Sequence, residues 1–264
     1  MSVVVGGAGS ALLGCDLPPE RAPGGPRVLG SDPEDGDEGV DPYVAPRVYF
    51  DRPVFFGDIH RGRMSLRSGA RAAFLSGWFD PVDRVLTIEN LTPPIAPDVV
   101  HRLTVTGIRD LDLDEMPDDY VVAFTTGEDG GPPRPADAVG WSSVAPIFER
   151  CAVDGCHGGS TPMLGLDLSS PDAIERTAVG VGAIETRVGT QGDTVWRGSP
   201  TLGGMARIEA RAGLGDPARS YLLYKVIGDP HAVGARMPPP PDAPLDPSEL
   251  RALSRWIRAG APTL

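Results

Sequence analysis

From residue 43 onward the chain reads in steps of two. Arg47-Val48-Tyr49-Phe50, Val54-Phe55-Phe56, Ala73 to Phe79, Arg84 to Ile88, His101 to Thr106 and Tyr120 to Thr126 are short runs rich in β-branched and aromatic residues. Pro53 breaks the first pair, and Asp80-Pro81 marks a turn. Short strands at regular spacing with turn signals between them predict an antiparallel sandwich over residues 43–127. Beyond residue 140 the period changes. Ile147 and Phe148 follow Ser143, a potential cap, and Pro146, which suits a first helical turn. Near the end, Leu250, Leu253, Trp256 and Ile257 share one helical face, opened by Asp246, Pro247 and Glu249 in a capping-box arrangement and closed by Gly260. These features predict a mainly α unit over 140–264 with long irregular loops, in which Trp256 packs the first helix against the last.

Composition adds two linkers. Residues 16–42 carry Pro-Pro, Gly-Gly-Pro and the acidic run Ser31 to Glu38, and residues 128–139 are again Gly- and Pro-rich. Neither offers a surface to bury, so both are expected to be extended tethers. A net charge of −12 leaves no basic stripe to neutralise phosphates, which excludes nucleic acid as a partner. The first fifteen residues hold a short apolar stretch ending Leu12-Leu13-Gly14-Cys15, too short to span a bilayer. No Lys or Arg precedes it.

The segment that carries chemistry runs from Ser143 to His157 and contains Cys151-Ala-Val-Asp-Gly-Cys156-His157. Two thiols can add across the vinyl groups of a haem, and the histidine after the second then faces the iron. A disulfide between Cys151 and Cys156 is the plain alternative in an oxidising compartment, while a zinc site would lack its fourth ligand. Met237, held in Met237-Pro238-Pro239, is the candidate for the opposite face of the iron, because proline keeps the loop out of a helical ladder. Met163 lies close to His157 in sequence, and Met205 and His231 are further competitors. Lys225 could meet a haem propionate. His60 and His101 read as satisfied surface histidines. Asp110, Asp112 and Asp114 alternate but lack the glycine and terminal glutamate of a calcium loop.

Three resemblances sharpen this reading. The N-terminus (1–15) resembles a bacterial lipoprotein signal and acylation site, which implies cleavage ahead of Cys15 and acylation of Cys15 as the new N-terminus. Residues 43–127 resemble bacterial Ig-like (SbsA-type) domains, which open on a V-x-F-x-x-P-V strand and close on F-T-T. Residues 140–264 resemble a monohaem cytochrome c family of multi-domain exported bacterial proteins. The motifs matching it, in order, are Gly158 after the histidine, Leu166-Asp-Leu-Ser-Ser170, Ser220-Tyr-Leu-Leu-Tyr-Lys225, Met237-Pro-Pro239 and Trp256-Ile-Arg-Ala-Gly-Ala261. The C-x4-C-H spacing is wider than the family's usual C-x-x-C-H.

These resemblances imply an all-β Ig-like sandwich followed by a mainly α cytochrome c-like haem domain. One covalent haem c would be held by Cys151 and Cys156 and ligated by His157 and Met237. The implied function is electron transfer with a redox partner protein, on an exported lipoprotein that is periplasmic or associated with the outer membrane and anchored by its N-terminal lipid. No acid, base or nucleophile is arranged for substrate turnover, so no enzyme is expected. Two rivals remain: a haem-free adhesion or scaffold lipoprotein with a Cys151–Cys156 disulfide, and a small haem peroxidase with an open distal site.

Overall fold

Alternating apolar residues form strands because each pleat turns every second side chain to one face. The computed structural model describes residues 24–134, 139–186, 188–191, 194–197, 200–211 and 213–263. Within it, β1 (Val28–Asp32), β2 (Arg47–Phe50), β3 (Met64–Ser68), β4 (Arg71–Ala72), β5 (Leu75–Asp80), β6 (Val85–Asn90), β7 (Val100–Val105) and β8 (Tyr120–Thr125) build two four-stranded sheets. Their orders are β1-β2-β6-β5 and β4-β3-β7-β8, with antiparallel pairing throughout. Val48, Phe50, Phe79, Leu86 and Ile88 of one sheet meet Leu66, Leu103, Val105, Val122 and Phe124 of the other in one core. The expected β-sandwich is therefore present.

Its beginning differs from the expected 16–42 linker. Residues 28–32 form an edge strand whose backbone pairs with β2. Further along, Asp35 accepts from the Ala123 amide at 2.7 Å, and Gly36 N–H donates to the Ala123 carbonyl at 2.7 Å. Backbone bonds and turn carboxylates hold this segment, so its lack of an apolar period says nothing about its order. Cys15 and the proposed signal over 1–15 lie outside the described residues, as does part of the 128–139 linker.

The expectation of a mainly α domain over 140–264 is overturned. Its helices are α1 (Ala145–Cys151), α2 (Pro171–Thr177), α3 (Tyr221–Ile227) and α4 (Pro247–Arg258), three of 7 residues and one of 12. Between α2 and α3 run two short hairpins, β9 (Val188–Gln191) with β10 (Thr194–Arg197) and β11 (Ala210–Arg211) with β12 (Leu214–Gly215). The described residues are thus dominated by two antiparallel sheets. Residues 178–215 are rich in Gly, Thr and Val, a composition that disfavours helix and suits hairpins.

The helices nonetheless share a core. Phe148 of α1 stacks on Trp141 with ring centroids 5.5 Å apart and meets Trp256 of α4 edge-on at 5.5 Å. Trp256 is fully buried and donates to the Pro262 carbonyl at 2.9 Å. Its expected role of packing the first helix against the last holds. The capping box at α4 is complete, with Asp246 accepting from the Ser248 and Glu249 amides and Glu249 accepting from the Asp246 amide. At α1 the cap is Val144 rather than Ser143, whose hydroxyl donates to Gly140 instead.

The sandwich is docked on this second unit rather than held away from it. Arg258 of α4 donates to Glu89 at 2.8 Å and lies 4.5 Å over the Trp78 ring. Arg251 pairs with Asp83 at 2.8 Å, and Thr201 donates to the Leu111 carbonyl at 2.8 Å. Leu111 packs in a small shared core with Leu202, Met205, Tyr221 and Tyr224.

Candidate functional site

Helix α1 ends at Cys151, and the following turn is built for close approach. The His157 amide donates back to the Cys151 carbonyl at 3.1 Å, closing the loop that holds both cysteines. A Cβ on Gly158 would overlap the Ala152 carbonyl, so no larger residue fits where the loop turns under itself. Gly155 adopts φ +82°, the left-handed region that glycine enters freely. The Met163 amide then donates to Cys156 at 2.7 Å and the Leu168 amide to His157 at 2.8 Å.

Cys151, His157 and Met237 line one cleft that opens to solvent and has a cavity volume of about 80 Å³. Its walls are mostly apolar: Ile147 and Phe148 from α1, Leu166 and Leu168, Leu222 and Val226 from α3, then Leu245 and Leu253. Glu185, Arg207, Tyr221 and Lys225 supply the polar groups. Met237 is half-buried, and Cys151 packs partly buried against the helical core. Cys156 is exposed and lies outside the lining, so three of the four expected site residues are brought together and the fourth is not. Both thiols are free, with Cys151 Sγ donating to the Ile147 carbonyl at 3.4 Å. Burial pushes the Cys151 thiol pKa up.

His157 Nδ1 sits 3.2 Å from the Leu166 carbonyl. A nitrogen facing a carbonyl carries the proton, which leaves Nε2 as the basic nitrogen of the ring. Burial lowers the His157 pKa, outweighing the carbonyls that favour its charge, so the ring is held neutral near pH 7. A backbone carbonyl on one imidazole nitrogen is the usual outer support of a histidine whose other nitrogen binds a metal.

The competing ligands are separated by their surroundings. Met163 lines the cleft and is exposed at its rim. Met205 is buried in the shared core with Leu111 and Leu202. His231 has both ring nitrogens engaged, Nδ1 by Asp229 at 2.8 Å and Nε2 by Asp112 at 2.9 Å. His60 is exposed as expected, whereas His101 is buried, its Nε2 at 2.9 Å from the Ala96 carbonyl and its ring stacked on Phe124. Asp110 is also buried. It accepts from the Asp112 and Asp114 amides and pairs with Arg52 at 3.3 Å, shaping a loop. Among the described residues no group of three or more His, Cys, Asp or Glu is arranged to hold a metal ion.

Two cleft residues escaped the sequence reading. Arg207 donates to the carbonyls of Gly165 at 2.9 Å and Thr177 at 2.6 Å, and also to Leu164, pinning the rim turn. Glu185 lies 3.9 Å from Lys225 Nζ. Both come from a stretch without helical or strand period, so no local signal marked them. Lys225 was expected near a propionate, but its ammonium instead donates to the Val233 and Ala235 carbonyls at 2.6 and 2.9 Å.

No helix among the described residues is long and apolar enough to cross a membrane. No protein-family model matches the chain, and neither does any curated protein. Among solved structures, the S-layer protein SbsC (residues 31–844) aligns at TM-score 0.32 and 16% identity, over 42% of this chain and 14% of that one. The copper resistance protein PcoC from Escherichia coli aligns at TM-score 0.31 and 12% identity, over 38% of this chain and 98% of its own length. CopC from Methylosinus trichosporium OB3b aligns at TM-score 0.29 and 15% identity, over 41% and 99%.

Proposed function

We propose that the chain is an exported, lipid-anchored electron-transfer protein that carries one covalent haem c in the cleft between α1 and α3. The observation that carries this reading is that the Cys151–His157 segment and Met237, far apart in sequence, line one mostly apolar cleft. Cys151 and Cys156 would attach the haem, and His157 and Met237 would ligate its iron. The neutral His157 ring, held through Nδ1, offers Nε2 as a ligand. Met237 supplies a soft thioether from the opposite stretch of chain. Haem c bound there supplies one-electron chemistry, with a potential raised by histidine–methionine ligation. The apolar walls exclude water and lower the local dielectric, which also tunes the potential. Cys15 is the acylation site, and the partner is a redox protein.

The test is to express the full chain with its export signal and haem-maturation machinery, then record oxidised and reduced spectra. A sharp reduced α-band that stays with the chain after denaturation is expected. It should disappear in the Cys151→Ala, Cys156→Ala double variant. A colourless wild-type protein with a Cys151–Cys156 disulfide would overturn the proposal in favour of a haem-free scaffold. A haem protein whose methionine–iron absorption is unchanged by Met237→Ala would sink the ligand assignment.

A further inference from the structure

Resting on the haem reading above, we infer that Lys225 is the positioning residue that fixes the Met237 loop over the cleft. Helix α3 grips this loop at four points. Its side-chain ammonium donates to the carbonyls of Val233 and Ala235 at 2.6 and 2.9 Å. Its own backbone carbonyl accepts from the Met237 amide at 2.9 Å. One turn earlier, the Tyr221 hydroxyl accepts from the Val233 amide at 2.9 Å. Tyr221 and Lys225 stand four residues apart and so share a helical face, the face that also lines the cleft.

Nearer its start the loop is tied by His231 to Asp229 and Asp112. It carries Gly234 at φ +77° and runs straight into Met237-Pro238-Pro239, where proline nitrogens cannot donate. Carbonyls at 233 and 235 point inward, and a compact ammonium with three donors can satisfy both at once. Glu185, 3.9 Å away, is the counter-charge on the far side. Lys225 is itself 7% exposed, so its charge is committed to these partners rather than to solvent. The sequence reading placed this ammonium on the cofactor. The geometry instead commits it to the ligand loop, where it would hold Met237 at the cleft.

The test uses the full chain matured with haem. Wild type should show the methionine-to-ferric-iron band near the red edge. Lys225→Met, similar in length but without donors, should keep covalent haem yet lose most of that band and show a lowered reduction potential. Imidazole should bind its ferric form at least about tenfold more tightly, because loss of charged hydrogen bonds opens the sixth position. Lys225→Arg, which keeps charge and donors, should restore the band. In the haem-free chain, Lys225→Met should speed protease cleavage within 229–237 while the β-sandwich stays resistant. Should Lys225→Met not accumulate, Lys225→Gln is read by the same measures. A folded Lys225 variant with unchanged band, potential and cleavage rate overturns the role of Lys225 alone. Absence of the band in wild type overturns the ligand reading and this inference with it.

Discussion

His231 Nε2 lies 2.9 Å from Asp112 Oδ1, so one imidazole ties the start of the Met237 loop to the β7–β8 loop of the sandwich. Asp229, at 2.8 Å from Nδ1, completes a carboxylate–imidazole–carboxylate bridge. Burial alone would lower the His231 pKa, but hydrogen bonds and charge from Asp229 and Asp112 outweigh it, so the pKa is raised. A raised folded-state pKa stabilises fully below the ordinary value near 6.5, and that contribution is lost as pH rises through the folded value. Urea unfolding at a series of pH values should show stability falling from mildly acidic into alkaline solution. His231→Ala should lower stability by about 1–3 kcal/mol at pH 6 and flatten that dependence. An unaltered slope in the variant would refute the bridge.

Asp58 is the mirror case. It is 2% exposed, and Arg109 donates to it from Nε and Nη2 at 2.9 and 2.8 Å and from its backbone at 3.0 Å. Burial opposes its ionisation, yet Arg109 holds its pKa below the usual carboxylate range. The stabilisation is therefore present above the ordinary value and lost as pH falls through the depressed one. Asp58→Asn should lower stability at neutral pH by about 2 kcal/mol, less than a fully buried pair because Arg109 is one-third exposed. It should also remove part of the acid destabilisation seen in wild type below about pH 4. Acid titration followed by tryptophan fluorescence checks both.

Gly158→Ala tests the turn beneath the histidine. Its Cβ would overlap the Ala152 carbonyl, and the overlap should cost about 1–3 kcal/mol. Relief requires moving the 152–158 loop, so covalent haem content should fall even in protein that remains folded. Chemical denaturation together with mass analysis of the intact chain separates the two effects. Full haem loading in Gly158→Ala would show that the close approach is dispensable.

Trp256→Ala should be the most damaging single change in the second core. The side chain is fully buried between Phe148 and Trp141 and satisfies its indole on Pro262. Removal should cost about 3–5 kcal/mol, loosening α1 and hence Cys151. Trp256→Phe should recover much of this, since it refills the space without the donor. Thermal melts of both variants give the comparison, and a loss below about 1 kcal/mol for Trp256→Ala would refute the packing role.

Much of this protein was legible in short stretches of sequence. Alternation over 47–50, 75–80, 85–90, 100–105 and 120–125 specifies strands because a pleat sorts side chains by parity. Asp246, Pro247 and Glu249 specify a helix start because the capping bonds span three residues. Cys151, His157 and Met237 declared themselves through residue chemistry, and they do meet in one cleft. Tertiary structure decided the rest. Residues 28–32, within the expected linker, became an edge strand because backbone bonds to β2 need no apolar period. Residues 140–264 gave short helices with hairpins, because Gly, Thr and Val between 178 and 215 interrupt the helical pattern that flanks them. Asp112 beside His231, and the carbonyls that Lys225 and Arg207 reach, lie well away in the chain or across a loop. A charge's partner depends on where the folded backbone brings an oxygen, and residue spacing alone does not encode that distance.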